Sequence, residues 1–190
     1  MRLDGPPGRE HPEWQADRAA MGRVLPDGLR LPYSEEAWPD PWLHCALVYL
    51  EWEARYPKTW TREAKGWGYK EEAIRALARH ASELPDWAVQ RCLDLVLMAV
   101  QRQHRCKDGE YAKLGRALAR PELRRQLGEL THSPEPHRAL RARYLLWVLE
   151  NPAIPRVNAT LWRHWLQNNG MAGSRVWASA PRSGWSRASG

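Results

Sequence analysis

Residues 40–55 of the chain, DPWLHCALVYLEWEAR, decide its fold class. Asp40 is a favoured N-cap residue, and Pro41 stands at the first helical position, where its missing N–H removes no hydrogen bond. Beyond them, apolar side chains such as Leu43 and Leu47 lie on nearly every face of a helix. A helix at a protein surface is apolar along one stripe, whereas a helix that is apolar all round is buried. The segment therefore predicts a central, buried helix.

The sequence downstream has the same helical character, divided into shorter pieces. Apolar residues recur three and four positions apart, as on one face of a helix, and prolines separate the pieces because their rings clash inside a helix. No stretch alternates apolar and polar residues between turns, so no sheet is expected. The chain is predicted to be all-α, a single-domain bundle of about seven helices. Helices are expected over residues 42–55, 69–84, 85–104, 110–119, 121–130, 133–149 and 158–169, with a loop around Pro57, Gly66 and Gly68.

The 190 residues have the length of one domain, and both ends differ in composition from the middle. Residues 1–40 hold six of the 15 prolines and are predicted to form an arm with at most one helix, near residues 13–25. Residues 41–168 are predicted to be the helical bundle domain. Residues 169–190, rich in Arg, Trp, Ser and Gly, are predicted to be an extended or weakly ordered tail.

Cysteine use and the lack of long apolar runs favour a cytoplasmic location. Cys45, Cys92 and Cys106 are too few and too irregularly spaced for a disulfide framework, which indicates a reducing compartment. The first residues contain no apolar stretch of signal-peptide length, and no run of about 18 apolar residues follows, so no membrane contact is expected. Only His104 and Cys106 lie close in sequence, whereas structural zinc takes paired ligands. No metal or cofactor is therefore predicted.

Charge is unevenly divided along the chain. Residues 1–101 hold 13 Lys and Arg against 16 Asp and Glu, a net charge of −3, whereas residues 102–190 hold 16 against 6, a net charge of +10. A field of one sign concentrates partners of the opposite sign, and nucleic acid is the longest polyanion in a cell. The second half of the chain is therefore the predicted nucleic-acid-binding region.

Most of this charge lies in a first basic block, residues 102–143, with a net charge of +6. Arg outnumbers Lys there, and the planar guanidinium suits bidentate contacts with phosphate. A solvated helix surface is the alternative interpretation of such a block. The predicted phosphate contacts are Arg102, Arg105, Lys107, Lys113, Arg116, Arg120, Arg124, Arg125, Arg138, Arg141 and Arg143.

A second basic block, residues 151–190, contains no acidic residue. It places Arg beside Trp, a combination that holds single strands through phosphate contacts and base stacking, worth about 1–3 kcal/mol per stacked base. Trp162 and Trp165 are expected to pack on the bundle instead. The candidate contacts in this block are Arg163, Arg175 and Trp177.

Other patterns offer alternative functions. RALARH, residues 75–80, has Arg and His at a spacing found in some helical ribonucleases that assemble a composite site across a dimer, although no second acid or base accompanies them. VNATLWRHWL, residues 157–166, resembles the second helix of a helix-turn-helix, with Thr160 and Arg163 placed to face DNA, but PAIP precedes it instead of a tight turn. A further alternative is an adaptor or inhibitor module whose basic half docks on an acidic protein.

Two segments resemble a known family. LGRALAR, residues 114–120, followed by Arg124 and Arg125 and a Leu-rich helix, and then IPRVNATLWRHWL, residues 154–166, are similar in order to landmarks of the CasB family. This family is the small subunit of CRISPR Cascade complexes. The resemblance covers residues 87–180, and the amino-terminal half departs from the family pattern.

The resemblance implies an all-α, non-enzymatic subunit of a ribonucleoprotein that holds the backbone of DNA or RNA. Members of the family sit as a pair in the complex, so other protein subunits and a homodimer are the implied partners. Carried over by position, the resemblance assigns backbone contact to Arg116, Arg120, Arg124, Arg125 and Arg163. All five are also among the contacts that the charge pattern predicts.

Overall fold

The computed structural model of the chain describes residues 40–63 and 66–169. Within these ranges it contains eight α-helices and no strand, which confirms the all-α prediction. None of these helices is long and apolar enough to cross a lipid bilayer. The helices are α1 (Asp40–Arg55), α2 (Pro57–Glu63), α3 (Trp67–Arg79), α4 (Asp86–Gln101), α5 (Glu110–Leu118), α6 (Pro121–Leu130), α7 (Pro136–Glu150) and α8 (Ala159–Asn168). The expected arm, the helix near residues 13–25 and the tail from Gly170 onward lie outside the described residues.

Helix α2 occupies a stretch that the sequence predicts to be a loop. It is seven residues long, too short for an apolar repeat to be recognised, and Pro57 stands at its start. Trp60 anchors it, because this side chain is fully buried and its ring lies 5.7 Å from the ring of Tyr49 and 4.7 Å from that of Trp67. Burial of one large aromatic side chain thus fixes a helix that has little helical signal of its own.

Helix α7 begins later than predicted, and proline explains the difference. The residue before a proline is pushed away from helical geometry towards an extended conformation. Glu135, which precedes Pro136, has φ −83° and ψ 110°, so the helix begins at Pro136 and not at Ser133. The Ser133 hydroxyl instead accepts a hydrogen bond from the Glu135 N–H at 3.2 Å, which stabilises the turn before the helix.

Helices α1 and α4 form the core of the bundle. In α1 the nine consecutive residues 45–53 are all buried, which confirms that this helix is enclosed on every side. Helix α4 packs against α1, α5, α6 and α7. Its fully buried residues include Ala88, Cys92 and Val96, so Cys92 is a core residue as the helix periodicity predicts.

Helix α8 has the predicted start. The Asn158 side chain accepts a hydrogen bond from the Leu161 N–H at 2.9 Å, which confirms the N-cap. Trp162 and Trp165 are buried, and their rings lie 4.6 and 5.4 Å from the ring of Tyr144 on α7. Both tryptophans therefore attach α8 to the bundle, as expected from the sequence.

Helix α5 approaches its neighbours closely at Gly115. A Cβ atom at this position would lie 3.3 Å from Val96 Cγ1 on α4 and 3.5 Å from the Leu145 methyl groups on α7. Those contacts leave no room for a branched side chain. A small residue at this point lets α5 lie close between α4 and α7.

We expect Gly115→Val to lower the free energy of unfolding by about 1–3 kcal/mol, because an overpacked core must shift its neighbours. Gly128→Val is the matched control, since a Cβ at Gly128 on α6 meets nothing within 4 Å. The control should change stability by less than about 1 kcal/mol, and in the stabilising direction, because Val has the higher helix propensity. Urea denaturation of both variants measures the difference. Equal effects at the two positions would contradict the close packing of α5.

Candidate nucleic-acid interface

Three of the predicted phosphate contacts belong to a buried network that we call the central ion cluster. Its six members come from α1, α3, α7 and the 102–109 loop, and Arg141 is only 5% exposed. The cluster consists of Glu53, Lys70, Arg102, Arg105, Asp108 and Arg141. Arg141 thus lies inside the fold, whereas the side chains of Arg102 and Arg105 are 16% exposed and are held by ion pairs to Glu53 and Asp108.

Lys70 is at the centre of this cluster and is fully buried. Its Nζ lies 2.6 Å from Asp108 Oδ1 and 3.3 Å from Glu53 Oε1, and it donates to the Cys106 carbonyl at 2.9 Å. The rings of Trp67 and Tyr111 lie 5.7 and 5.6 Å from the same Nζ. One ammonium group therefore joins α3 to α1 and to the 102–109 loop.

The arginines of the cluster complete the attachment of this loop. Arg102 Nη2 lies 2.9 Å from Glu53 Oε2 and 2.6 Å from Asp108 Oδ1, and the Arg105 N–H donates to Asp108 Oδ2 at 2.8 Å. Arg141 Nη1 donates to the carbonyl of Arg102. Burial alone would raise the pKa of Asp108, but the charges of Lys70 and Arg102 outweigh it, so the pKa is lowered and the carboxylate stays ionised.

A second group of predicted contacts lies on the surface, already paired with carboxylates. Exposed ion pairs contribute about 0–1 kcal/mol, so a cation in such a pair can exchange its carboxylate for a phosphate at low cost. The pairs are Lys107 with Glu71, Lys113 with Glu110 at 2.6 Å, Arg125 with Glu129 at 2.7 Å, and Arg138 with Glu135 at 3.1 Å.

A third group donates to backbone carbonyls and keeps its positive charge. Arg116 donates to the Ile154 and Pro152 carbonyls at 2.5 and 2.6 Å, which fastens the 151–158 segment to α5. Arg124 donates to Leu149 and Arg143 to Thr131, at 2.9 and 3.2 Å.

The remaining predicted contacts are dispersed. Arg120 is exposed at the start of α6. Arg163 is exposed and donates to Ala159 and Thr160 of its own helix, α8. Arg175 and Trp177 lie outside the described residues.

The structure brings five cations together in an open groove between α3, α5 and the 151–158 segment, with a volume of about 540 Å³. We call it the basic groove. Ala78, Ala117 and Pro155 also line it, so its floor is apolar while its charges come from arginine and lysine. The five cations are Arg75, Arg79, Lys113, Arg116 and Arg156.

Two of these cations are paired and three keep their charge uncompensated. Glu110 lies 3.1 Å from Arg75 Nε and 2.6 Å from Lys113 Nζ. Among the described residues, no carboxylate pairs with Arg79, Arg116 or Arg156. The groove therefore offers three guanidinium groups to an anion.

Arg79 and Arg156 are absent from the sequence-based set of contacts. Arg79 lies four residues after Arg75, so the two share one face of α3. That periodicity marks a basic helical face, but only the packing of α3 on α5 shows that it meets Arg116. Arg156 stands in a segment without periodicity, and no local signal distinguishes it.

The residues of the two alternative motifs lie at α3 and α8. Within one copy of the chain Arg75 is exposed, whereas His80 is buried with its Nδ1 3.4 Å from Glu83. Helix α8 follows an eight-residue segment, 151–158, and not the three- or four-residue turn of a helix-turn-helix.

No family model, curated protein or solved structure shows a significant match to this chain.

We expect Asp108→Asn to lower the free energy of unfolding by about 3–5 kcal/mol, because it leaves Lys70 buried without its nearest carboxylate. Arg125→Ala is the comparison, since it removes a pair that is more than half exposed on both sides. That variant should lose a few tenths of a kcal/mol, about the value of one exposed helical pair. Denaturant unfolding monitored by circular dichroism measures both. Similar losses in the two variants would show that the cluster does not hold the fold.

We expect the folded protein to lose stability as the pH falls from about 7 to 4. Burial lowers the pKa of His104 from 6.5 to about 4, so the unfolded chain binds more protons between these values. Each pKa unit corresponds to about 1.36 kcal/mol. With a reduction for the partial exposure of the imidazole, the free energy of unfolding should fall by about 2 kcal/mol. His104→Gln should flatten this dependence, whereas His132→Gln, at an exposed position, should keep it. An unchanged slope in His104→Gln would contradict the assignment.

Proposed function

We propose that this protein is a non-enzymatic, all-helical subunit that binds the sugar–phosphate backbone of nucleic acid in the basic groove. The observation that carries the proposal is the convergence of Arg79, Arg116 and Arg156, from three separate parts of the chain, on one open groove without carboxylate partners. Guanidinium groups bind phosphate oxygens in bidentate geometry, and such contacts do not depend on base sequence.

The electrostatics of the groove support a polyanion as the ligand. Arg75 pairs with Glu71, Glu72 and Glu110, and Lys113 pairs with Glu110. The five cations of the groove therefore outnumber the three carboxylates that pair with them. Phosphate contacts release condensed counterions, which favours binding by an extended polyanion over binding by a single small anion. The exposed cations Arg120, Arg125 and Arg163 offer further contacts to a strand that leaves the groove.

The resemblance to the CasB family points to a subunit of a CRISPR-type ribonucleoprotein, with other protein subunits or a second copy as partners. Of the residues that this resemblance assigns to backbone contact, Arg116 lines the basic groove. Arg120, Arg124, Arg125 and Arg163 are the others, and they lie on α6 and α8 or at their starts. The proposal of nucleic-acid binding rests on the groove and does not require this family assignment.

We expect the protein to bind a random-sequence oligonucleotide with log K falling against log[salt] by about 0.9 per phosphate contact on duplex and about 0.7 on single strands. Arg79→Gln with Arg156→Gln should reduce this slope by about 1.4 to 1.8, because two contacts are lost. Lys58→Gln with Arg62→Gln removes the same charge from α2, which does not line the groove, and should leave the slope nearly unchanged. Fluorescence anisotropy over a salt series measures all three proteins.

Several results would count against the proposal. No binding at low salt, or equal effects of the two double variants, would remove the basic groove as the interface. A larger loss on deletion of residues 171–190 would place the main contacts in the tail. Strong preference for one duplex sequence would favour a DNA-binding regulator, and cleavage that is lost in His80→Ala would favour a nuclease. Binding to an acidic protein but not to nucleic acid would favour an adaptor.

A further inference from the structure

A second concavity lies between α4, α5, α7 and the start of α8, and its volume is about 340 Å³. We call it the interhelical cavity; it shares Val157 and Asn158 with the basic groove. The volume equals that of about ten water molecules, each of which takes about 30 Å³ in the liquid. It is in the range of pockets that hold small organic molecules. Apolar side chains that line it include Val96, Val100, Leu145, Val157 and Trp162.

One end of the interhelical cavity is polar, and the charged or titratable side chains of the lining include His104, Lys107, Asp108, Glu110 and Arg141. The opposite charges of Lys107 and Glu110 balance each other. The carboxylate of Asp108 is already engaged on both oxygens, because Oδ1 accepts from Lys70 and Arg102 and Oδ2 accepts from the Arg105 N–H. It is therefore a poor acceptor for a further cation. The polar end does not favour a positively charged ligand.

The charge around this end favours an anion. The central ion cluster combines four cations with two carboxylates in the described part of the chain, so positive charge is in excess there. Excess charge of one sign in a low-dielectric interior attracts a counter-charge strongly. Burial lowers the pKa of His104 to about 4, so its imidazole is neutral at pH 7 and carries one N–H donor.

The aromatic side chains of the lining favour a ligand with an aromatic ring. Tyr144 and Trp162 both line the cavity, and their ring centroids lie 4.6 Å apart in an edge-to-face arrangement. A further aromatic ring packs favourably against such a pair when the ring centroids lie about 4.5–7 Å apart. Water that fills a mostly apolar cavity lacks partners, so its release favours a ligand with an apolar ring.

We propose that the interhelical cavity binds a small aromatic carboxylate, with the carboxylate at Arg141 and His104 and the ring against Tyr144 and Trp162. The site does not depend on the basic groove, so failure of nucleic-acid binding would leave it standing. It adds a small-molecule site to a protein whose proposed ligand is a polymer.

The test uses the full chain and two probes of nearly equal shape, indole-3-acetate and its neutral analogue indole-3-ethanol. Titration calorimetry at pH 7 should show saturable one-site binding of indole-3-acetate, and at least tenfold weaker binding of the alcohol, because a hydrogen bond to a charged group is lost. No saturable binding of the acid up to about 10 mM, or equal affinity for both probes, would overturn the proposal.

Two pairs of variants locate the site. Ala112→Phe on α5 narrows the cavity and should weaken the binding of indole-3-acetate at least tenfold. Ala153→Phe, at an exposed position that lines neither the cavity nor the basic groove, should bind it as the wild type does. Arg141→Gln should reduce the affinity for the acid to that for the alcohol, and Arg143→Gln, exposed on α7, should not. Circular dichroism establishes that each variant is folded. If Arg141→Gln does not fold, the comparison of Ala112→Phe with Ala153→Phe decides, and wild-type affinity in Ala112→Phe would overturn the proposal.

Discussion

The fold depends on a buried ammonium group. Lys70 Nζ lies among Asp108, Glu53 and the Cys106 carbonyl, with no exposure to solvent, so its charge is compensated entirely within the protein. Removing a charged group from water costs several kcal/mol, and only close carboxylates and further hydrogen bonds offset that cost. Glu53, Lys70 and Asp108 come from separate parts of the chain, and Lys70 and Asp108 are separated by 38 positions. The position of the 102–109 loop therefore depends on the packing of α1, α3 and α7 around it.

The same cluster changes the meaning of the charge division along the chain. An acidic first half and a basic second half suggest two oppositely charged surfaces, but part of the charge is neutralised where the halves pack together. Glu53 pairs with Arg102 and Arg105, and Glu71 pairs with Lys107. The basic surface that remains is smaller than the net charge implies. In the described part of the chain, five of its cations come together where the 151–158 segment meets α3 and α5.

The features that could be predicted from the sequence are those fixed by neighbouring residues. The start of α6 at Pro121 and the Asn158 cap of α8 follow from local backbone chemistry, and both were predicted correctly. The burial of α1 followed from its composition. The roles of Arg102 and Arg105 could not be predicted, because their shared partner Glu53 lies 49 and 52 positions away. An exposed arginine and a paired, less exposed one have the same local sequence pattern. The basic groove can therefore be identified only from the packing of α3 on α5.

Arg116 gives this groove a property that its charge alone does not have. Both of its terminal nitrogens hold the carbonyls of Pro152 and Ile154, just before α8 begins. A phosphate at Arg116 competes with those carbonyls for the same N–H groups, so an occupied groove and a firmly anchored 151–158 segment oppose each other. Such coupling is reciprocal: whatever loosens the segment strengthens phosphate binding, and whatever tightens it weakens binding by the same factor. One guanidinium group thereby links the ligand to the anchoring of the last helix that the structure describes.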